Sequence, residues 1–387
     1  MPAPQRWAWA DIDLDAVSHN VRVLADLAAP ARLWAVVKAD GYGHGAVAVA
    51  TAALAAGASA LCVALVQEGV ALRDAGIVAP IIVLSQQPAE QLASLVRADL
   101  TAVVYTDQGV DELAAAVERF GDGRVLPVHV KVDTGMHRVG VAPARLPALI
   151  ERIERHGSLQ LAGLMTHLAV ADEPARAGTA EQLARFMVAR ATIASAVEGH
   201  DVVVHVANSA GLTAHPAARF DAVRAGIALY GISPGPALAP HCAPLRPVMS
   251  LRARVAHVQR VDAGESISYG WRHTFDRATT VATVPIGYAD GVPRRLSACG
   301  GAVLVGGRRR PIVGVVTMDQ LMVDCGDDVV DVGDEVVLIG RQGYEVVTAD
   351  EWAERLGTIA YEIVCGIGGR VPRVHHAADG AAPRRAD

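Results

Sequence analysis

The chain has 387 residues, a formal net charge of −6 and a hydrophobic fraction of 52%. This length accommodates two or three average domains, or a barrel that takes more than half of the chain. An acidic chain has no basic field to attract nucleic acid or anionic lipid, so we expect neither as a partner. The five cysteines are scattered and form no C-x-x-C pair. This pattern argues against a disulfide framework or a metal site, and it indicates a cytoplasmic location.

The N-terminal stretch and one long uncharged segment both bear on membrane targeting. MPAPQRWAWADIDLD lacks the apolar core of a secretion signal. Residues 46–66 carry no charge, but the segment is rich in alanine and is interrupted by Gly57. We therefore predict a helix that ends near Gly57, followed by a buried strand, and not a membrane span.

Over the first 235 residues, short apolar runs alternate with longer segments whose apolar residues recur at helical spacing. Eight runs rich in Val, Ile and Leu stand at 33–39, 60–65, 80–85, 101–106, 125–133, 161–167, 202–208 and 222–231. Nearly continuous apolar runs are typical of strands buried on both faces of a parallel sheet. Eight strand–helix units predict an α/β fold with a TIM-type (β/α)8 barrel. The alternative is a doubly wound open sheet, but no G-x-G-x-x-G follows the first strand.

A proline-rich stretch at residues 232–247 marks a change of architecture. Beyond it the pattern predicts strands joined by hairpin turns, including one hairpin across Gly306-Gly307, and one helix in TADEWAERLG. We therefore predict a barrel domain over residues 1–240 and a mainly antiparallel β domain over residues 241–387.

Polar side chains follow the predicted barrel strands at their carboxyl ends, where barrel enzymes place their sites. These side chains belong to Lys38, Lys131, Arg138, His167, Asn208, Ser209 and Arg224, and the backbone of Gly226 and Ile227 follows the last strand. The convergence of amines, arginines and an imidazole on one end of a barrel carries more weight than any single residue.

Lys38 has two interpretations. A lysine at a strand end often only reaches solvent. Here an apolar strand delivers it into the barrel mouth, where desolvation and nearby arginines would lower its pKa, as a lysine that bonds to a carbonyl or acts as a base requires. The following GYGHG does not match a P-loop, although Tyr42 could donate a hydrogen bond to an anion.

The groups near the last two strands suggest an anion site. The N–H groups of Gly226 and Ile227, with the Ser209 hydroxyl, could hold a phosphate, or they could serve ordinary turn chemistry. Arg224 and Arg138 would supply fixed positive charge or clamp a carboxylate. Lys131, Asp133 and Arg138 could instead form an ion-pair network in the barrel wall. In the second domain, Tyr269 and Met318 reveal no chemistry by themselves.

Nine motifs run in order along nearly the whole chain: AVVKADGYGHG, KVDTGMHRVG, GLMTHLA, HVANSAG, VRAGIALYGISP, SISYGW, PIGYADG, VVTMDQ and IAYEIVCGIGGRVPR. In these motifs the sequence closely resembles the alanine racemases, which are pyridoxal-phosphate (PLP) enzymes built from a barrel and a β domain. The resemblance implies that Lys38 binds PLP covalently. It also implies that Arg224 faces the pyridine nitrogen and that His167 hydrogen-bonds Arg224. The remaining cofactor-binding positions that it implies are Tyr42, Asn208, Ser209, Gly226, Ile227 and Tyr361.

The resemblance also implies a substrate site. Arg138 would lie near the phenolic oxygen of the cofactor and the substrate carboxylate, and Lys131, often carbamylated in the family, would orient it. Tyr269 would be the second catalytic residue, supplied by the partner subunit, with Met318 beside it. The supporting positions are Tyr288, at the rim of the substrate entryway, and Asp319.

The implied reaction removes the α-proton of alanine from one face and returns a proton on the other. Lys38 would act on the D face and Tyr269 on the L face. A tyrosine has a reference pKa near about 10, so it needs cationic neighbours to act as a base near neutrality. Because Tyr269 would come from the partner, we expect a homodimer that makes D-alanine for peptidoglycan.

Other functions remain open. They are a broad-specificity or serine/lysine racemase on the same fold, a PLP-dependent decarboxylase of the same barrel type, and a non-catalytic PLP-binding protein. The presence of a second domain with Tyr269 argues against the last. Three residues depart from the family pattern: Thr317 where cysteine is common, Ala360 where asparagine is common, and His137 where a small residue is common. None of these removes a catalytic group.

Overall fold

The computed structural model describes residues 6–196, 198–199 and 201–377, and these divide into two compact units. One unit comprises Ala16–Gly41 and Ala46–Arg246. The other combines residues 6–15, Tyr42–Gly45 and residues 247–377. The first strand, β1 (Ala8–Asp13), belongs to the second of these units, and helix α1 (Leu14–Ala28) follows it.

The larger unit contains a closed parallel barrel of eight strands. The strands are β2 (Arg32–Val36), β3 (Ala60–Val63), β4 (Ile81–Val83), β5 (Thr101–Val104), β6 (Leu126–Lys131), β7 (Leu159–Met165), β8 (Val203–His205) and β9 (Ala222–Ala225). Each strand pairs with the next, and β9 closes on β2 through pairs such as Trp34 with Arg224. Every predicted run coincides with one strand. This confirms the TIM-type barrel and excludes the doubly wound sheet.

Helices connect the strands. They are α2 (Lys38–Gly43), α3 (Ala46–Ala55), α4 (Val66–Asp74), α5 (Ala89–Arg97), α6 (Asp107–Phe120), α7 (Leu146–Arg155), α8 (Gly178–Ala191), α9 (Ser209–Ala214) and α10 (Ala239–Cys242). In α7 the leucine and isoleucine residues recur at helical spacing and are all buried, as expected of an amphipathic helix. Helix α3 ends at Ala55, close to the predicted end at Gly57. Within the described ranges, none of the helices combines the length and apolar character that crossing a bilayer requires.

Helix α2 is a left-handed turn. Its residues from Ala39 to Gly43 all have φ between 51° and 79°, which non-glycine residues adopt at a cost of about 1–2 kcal/mol each. Gly43 has no alternative, since a Cβ there would lie 2.5 Å from the carbonyl oxygen of Val364. Gly41 and Gly43 therefore allow the left-handed turn that follows Lys38 and contains Tyr42.

The other unit is built on a ten-stranded, mainly antiparallel sheet. Its strands beyond β1 are β10 (Met249–Arg254), β11 (His257–Val261), β14 (Thr279–Val284), β15 (Ala302–Val305), β16 (Arg308–Val313), β17 (Leu321–Gly326), β18 (Glu335–Gln342), β19 (Glu345–Val347) and β20 (Arg373–His376), with β12 (Ser266–Ile267) and β13 (His273–Thr274) forming a separate pair. The predicted hairpin across Gly306-Gly307 is confirmed, because β15 and β16 pair up to Val305 and Arg308.

Two features of this unit differ from what the sequence predicts. The predicted barrel domain includes residues 8–13, but these residues form strand β1, which pairs antiparallel with β10 and parallel with β20 and buries Ala8, Ala10 and Ile12. Its partners lie more than two hundred residues away in the chain, and no local pattern indicates them. Besides the predicted helix, α11 (Ala349–Leu356), a second one follows as α12 (Ala360–Cys365). Its six residues are too few to show a helical period.

Candidate active site

Arg224, in β9, is the most firmly held cation of the barrel. It is 2% exposed. Its Nη1 donates to the carbonyl oxygen of His205 at 2.6 Å and lies 2.9 Å from His205 Nδ1. Its Nη2 donates to the carbonyl oxygens of Thr166 (2.9 Å) and Val206 (3.0 Å) and lies 3.3 Å from His167 Nδ1. Burial lowers the pKa of Arg224 to about 10, so the guanidinium keeps its charge at neutral pH in a fixed orientation.

Two neutral imidazoles, those of His205 and His129, extend the hydrogen-bond network that begins at Arg224. A guanidinium only donates hydrogen bonds, so His205 Nδ1 must accept, and His205 then carries its proton on Nε2. That nitrogen lies 2.9 Å from His129 Nδ1, which accepts in turn. Burial, and then the charge of Arg224, lowers the pKa of His129 to about 3 and that of His205 well below its usual value. Trp34 packs on both rings.

Sequence reasoning missed this histidine pair. A signal existed, because His129 and His205 each interrupt an otherwise apolar buried strand, in VLPVHVKVD and VVVHVAN. A buried polar side chain needs a partner. Two imidazoles on strands of one closed barrel could therefore have been paired with the arginine of a third strand.

Lys131, the last residue of β6, stands in a cationic environment. It is 5% exposed, and burial lowers its pKa to about 8, helped by the charges of Arg138, Arg224 and Lys38 and opposed by Asp133. Burial and the same set of cations lower the pKa of His167. The side chains predicted at the strand ends therefore act on one another electrostatically. Four cations, Lys38, Lys131, Arg138 and Arg224, act on this one region, where a single carboxylate opposes them, and this excess of positive charge favours binding of an anion.

The loop after β6 carries Arg138 and is held by Asp133. One carboxylate oxygen accepts hydrogen bonds from the N–H groups of Gly135 and His137, both at 3.0 Å, and the other lies 3.0 Å from His137 Nδ1. Burial opposes ionisation of Asp133, but these bonds lower its pKa overall. The predicted ion-pair network therefore takes a different form here, since Asp133 pairs with His137, and Arg138 is left exposed at the loop.

Gln182, on α8, joins the loops after β6 and β7. Its Nε2 donates to Thr134 Oγ1 at 3.2 Å and to the carbonyl oxygen of His167 at 3.0 Å, and its Oε1 accepts from the N–H of Ala169 at 2.8 Å. Thr134 Oγ1 in turn lies 2.8 Å from Thr166 Oγ1. The sequence gives no sign of this buried amide, because α8 reads as an ordinary surface helix.

Ser209 brings the predicted phosphate residues together. Its buried Oγ accepts hydrogen bonds from the N–H groups of Gly226 (2.9 Å) and Ala228 (3.2 Å), which flank Ile227. The preceding Asn208 caps α9 by accepting from the N–H of Gly211 at 2.9 Å. The hydroxyl and the turn after β9 therefore form one cluster at the carboxyl ends of β8 and β9.

The remaining predicted residues lie in the other unit. Tyr42 is buried, and its ring centre lies 6.1 Å from that of Tyr361 on α12. Tyr269 and Met318, in contrast, are 72% and 51% exposed, and Trp271, close to Tyr269, is 76% exposed. Large apolar side chains at such exposure are a feature of surfaces that another chain covers.

Tyr288, Met318 and Asp319 lie on two adjoining segments. The N–H groups of Tyr288 and Ala289 donate to the carbonyl oxygens of Thr317 and Met318, each at 3.0 Å. Gly287 allows this approach, because a Cβ there would lie 2.3 Å from the Thr317 oxygen. Ser268, which precedes Tyr269, donates from Oγ to the carbonyl oxygen of Val315 at 3.0 Å. The fold thus gathers the exposed candidate residues on one region of this unit.

The chain matches one family over almost its whole length. The profile described as "Alanine racemase, N-terminal domain" matches residues 12–234, and "Alanine racemase, C-terminal domain" matches residues 248–375. The chain is 49% identical to an alanine racemase of Symbiobacterium thermophilum over 373 residues, covering 96% of this chain and 97% of that one. It is 45% identical to an alanine racemase of Thermobifida fusca over 372 residues, covering 95% and 98%.

Solved structures agree with the sequence matches. The crystal structure of alanine racemase from D-cycloserine-producing Streptomyces lavendulae superposes with a TM-score of 0.90 at 40% identity, covering 97% of this chain and 98% of that one. The structure of alanine racemase from Bacillus anthracis with bound L-Ala-P gives a TM-score of 0.87 at 39% identity, covering 97% and 96%. These matches confirm the resemblance seen in the nine motifs. The chain is therefore an amino-acid racemase that belongs to the alanine racemase family.

Proposed function

We propose that this enzyme interconverts L- and D-alanine with PLP as cofactor, by proton transfer from two opposite faces. In the cytoplasm its D-alanine would serve peptidoglycan synthesis. The observation that carries the proposal is the buried Arg224, fixed by backbone and imidazole groups, within electrostatic reach of Lys131 at the barrel end where the Lys38 amine stands. Family membership makes alanine the expected substrate.

The residues at the barrel end suit PLP. An aldehyde needs a primary amine, which Lys38 supplies. A phosphate needs hydrogen-bond donors: the Ser209 hydroxyl and the Ile227 N–H would supply them, and the Gly226 N–H, which donates to Ser209 Oγ in this structure, would have to turn to the phosphate to be a third. The cation group compensates the negative charge of the phosphate and of a substrate carboxylate. When bound, PLP supplies an electron sink that acidifies the α-proton of the amino acid.

The proton transfers are assigned to two side chains. The Lys38 amine would take or return the proton on the D face and the Tyr269 phenol on the L face. Arg138, oriented by Lys131, would hold the substrate carboxylate, and Met318 would lie beside it. Tyr269 is exposed on its own chain, which suits a residue that enters the site of a partner subunit. Each active site would then require a homodimer.

Arg224 would control the strength of the electron sink. A guanidinium that stays protonated does not give its proton to the pyridine nitrogen, so the ring stays neutral and withdraws electrons less strongly. The neutral His205 and His129 support this, because neither can supply a competing proton. A weaker sink disfavours side reactions such as transamination.

Purified enzyme incubated with single enantiomers of alanine, serine and lysine tests the activity by chiral chromatography. We expect alanine to reach equal amounts of both enantiomers, since enantiomers have equal free energy, and to react much faster than the other two. Faster serine or lysine conversion would favour a broad-specificity or serine/lysine racemase. Release of CO2 without racemisation would point to a decarboxylase, and cofactor binding without either reaction to a non-catalytic PLP-binding protein.

Borohydride reduction followed by peptide mass mapping tests the cofactor bond. The sequence contains only two lysines, Lys38 and Lys131, so the mapping has few possible answers. We expect the reduced cofactor on Lys38. A label on Lys131 would overturn the assignment.

A further inference from the structure

Asp290 is a carboxylate buried completely inside the smaller unit. Its Oδ2 accepts hydrogen bonds from Arg6 Nη2 at 2.7 Å and from the N–H of Gly287 at 3.0 Å. Its Oδ1 lies 3.3 Å from Arg370 Nε. Burying a carboxylate is costly unless it is paired, and here two arginines offset that cost.

Both arginines extend beyond Asp290 to other segments. Arg6 Nη1 donates to the carbonyl oxygen of Arg370 at 2.7 Å, and Arg6 Nη2 lies 3.3 Å from that of Pro285. Arg370 Nη2 donates to Asp319 Oδ1 at 2.6 Å. The charges therefore alternate along one connected chain that ends at Asp319, the neighbour of Met318.

Backbone bonds make Asp290 the meeting point of three segments. The 3-10 turn Tyr288–Asp290 donates to the carbonyl oxygens of Thr317 and Met318, and the N–H of Gly368 donates to the carbonyl oxygen of Asp290 at 2.9 Å. One segment carries Tyr288, the second Met318, and the third Arg370. These backbone bonds and the pairing of the buried carboxylate with Arg6 and Arg370 together connect the three segments.

We propose that Asp290 is a positioning residue for catalysis, which acts through Arg6 and Arg370 to hold Tyr288 and Met318 in the arrangement that the substrate requires. The proposal rests on the function proposed above, which places these two residues at the substrate. Asp290 itself touches neither substrate nor cofactor. Its effect is on binding of alanine, while formation of the cofactor bond at Lys38 is independent of it.

The charge of Asp290 is the property that matters. Burial opposes its ionisation, but the hydrogen bonds from Arg6 and Gly287 and the charges of Arg6 and Arg370 lower its pKa overall. Asp290→Asn keeps the size and removes the charge. Arg370 is then no longer drawn between two carboxylates, and the segment of Met318 loses the link that runs from Asp319 through Arg370 to Asp290, while the backbone bonds from Tyr288 and Ala289 remain.

Glu351 provides a matched control in the same unit. It also pairs with two arginines, since its carboxylate accepts from Arg309 at 2.8 Å and from Arg355 at 3.2 Å. Those arginines otherwise bond to Glu345, to the backbone of Val346 and to that of Cys299. Glu351→Gln therefore removes a comparable charge without touching the segments that carry Tyr288 and Met318.

The test compares wild type, Asp290→Asn and Glu351→Gln as PLP-loaded enzymes. For each, kcat and KM are measured with L-alanine and with D-alanine, along with the melting midpoint and the absorption of the bound cofactor. We expect Asp290→Asn to raise KM about tenfold in both directions, with a smaller fall in kcat and an unchanged cofactor spectrum. Glu351→Gln should lower the melting midpoint but leave both constants within about twofold. A KM for Asp290→Asn within twofold of wild type overturns the proposal.

Arg370→Gln keeps the proposal testable if Asp290→Asn does not fold. Arg370 is half exposed, so its loss is better tolerated, yet it removes the link from Asp290 to Asp319. We expect KM to rise about fivefold, and an unchanged KM contradicts the proposal. Wild-type racemisation and the label on Lys38 report on the proposed function alone. If wild type does not racemise alanine, both proposals fall; if it does and the variants keep their KM, only this one falls.

Discussion

The cationic end of the barrel and the exposed region around Tyr269 contrast sharply. Arg224 and Lys131 are at most 5% exposed, and burial shifts the pKa of each. Tyr269 and Met318 are more than half exposed. One half of the proposed site is thus assembled within a single chain, with Arg224 and Lys131 already desolvated. The other consists of side chains that one chain leaves in solvent.

This difference indicates where catalytic competence resides. A buried cation group binds an anion without help from another chain. An exposed phenol, whose reference pKa is near about 10, needs surrounding charges before it can act as a base. We therefore expect cofactor binding to be a property of one chain and racemisation a property of two.

The largest expected loss of activity comes from a change at the cationic end of the barrel. In the proposed mechanism, Lys38→Ala removes both the amine that would bond the cofactor and one of the two proposed bases, so racemisation should fall by at least about 10⁴-fold. Chiral chromatography measures the loss, and borohydride mapping should find no label at position 38. Arg97→Ala, at a distant helix, serves as the control. Racemisation that survives in Lys38→Ala would show that the barrel side does not hold the reacting group.

The exposed region around Tyr269 is tested with the Tyr269→Phe variant, alone and mixed with Lys38→Ala. The phenylalanine variant should lose about 10²–10⁴-fold in racemisation while it still binds PLP. Unfolding and refolding it together with Lys38→Ala should restore activity, because a mixed dimer has one site with both bases. Random pairing predicts about a quarter of the wild-type activity. No recovery in the mixture would contradict supply of Tyr269 by the partner.

A smaller effect is expected at the histidine pair. His205→Phe removes the imidazole that accepts from Arg224 and leaves a buried donor unpaired, which should lower the free energy of unfolding by about 1–3 kcal/mol. His257→Phe, on the exposed strand β11, should change it by less than about 0.5 kcal/mol. Urea unfolding measures both, and equal stabilities would mean that the pair is not needed to satisfy Arg224.

The smallest effect is a pH dependence at Lys131. Its pKa is about 8 in the folded enzyme and 10.5 as a reference, so between these values the unfolded chain binds more protons. The free energy of unfolding of wild type, minus that of Lys131→Met, should therefore rise from about pH 8 to about pH 10.5 and should not change below pH 8. Urea unfolding in CO2-depleted buffer measures this, since carbamylation would remove the titration. A difference that stays constant across this range would show that the amine is not desolvated.

The barrel could be predicted because each strand is a continuous apolar run, and the candidate residues because they follow those runs within ordered motifs. The features that the sequence did not predict depend on contacts between residues far apart in the chain, which no local pattern indicates. Arg6 meets Asp290 across 284 positions, and β1 pairs with strands near residues 251 and 373. In the sequence, His129 and His205 each look like an isolated polar residue in an apolar strand. Only closure of the barrel places them next to each other.

The left-handed turn of α2 adds a consequence for durability. Ala39, Asp40 and Tyr42 hold a backbone conformation that they would leave if free, so neighbouring structure alone maintains it. Such a segment has a low threshold for local opening, and Lys38, the lysine proposed to bind the cofactor, stands at its first residue. Heat or denaturant should therefore release the turn before the barrel melts. If so, the enzyme would lose activity through misalignment of the proposed catalytic amine while its fold is still intact.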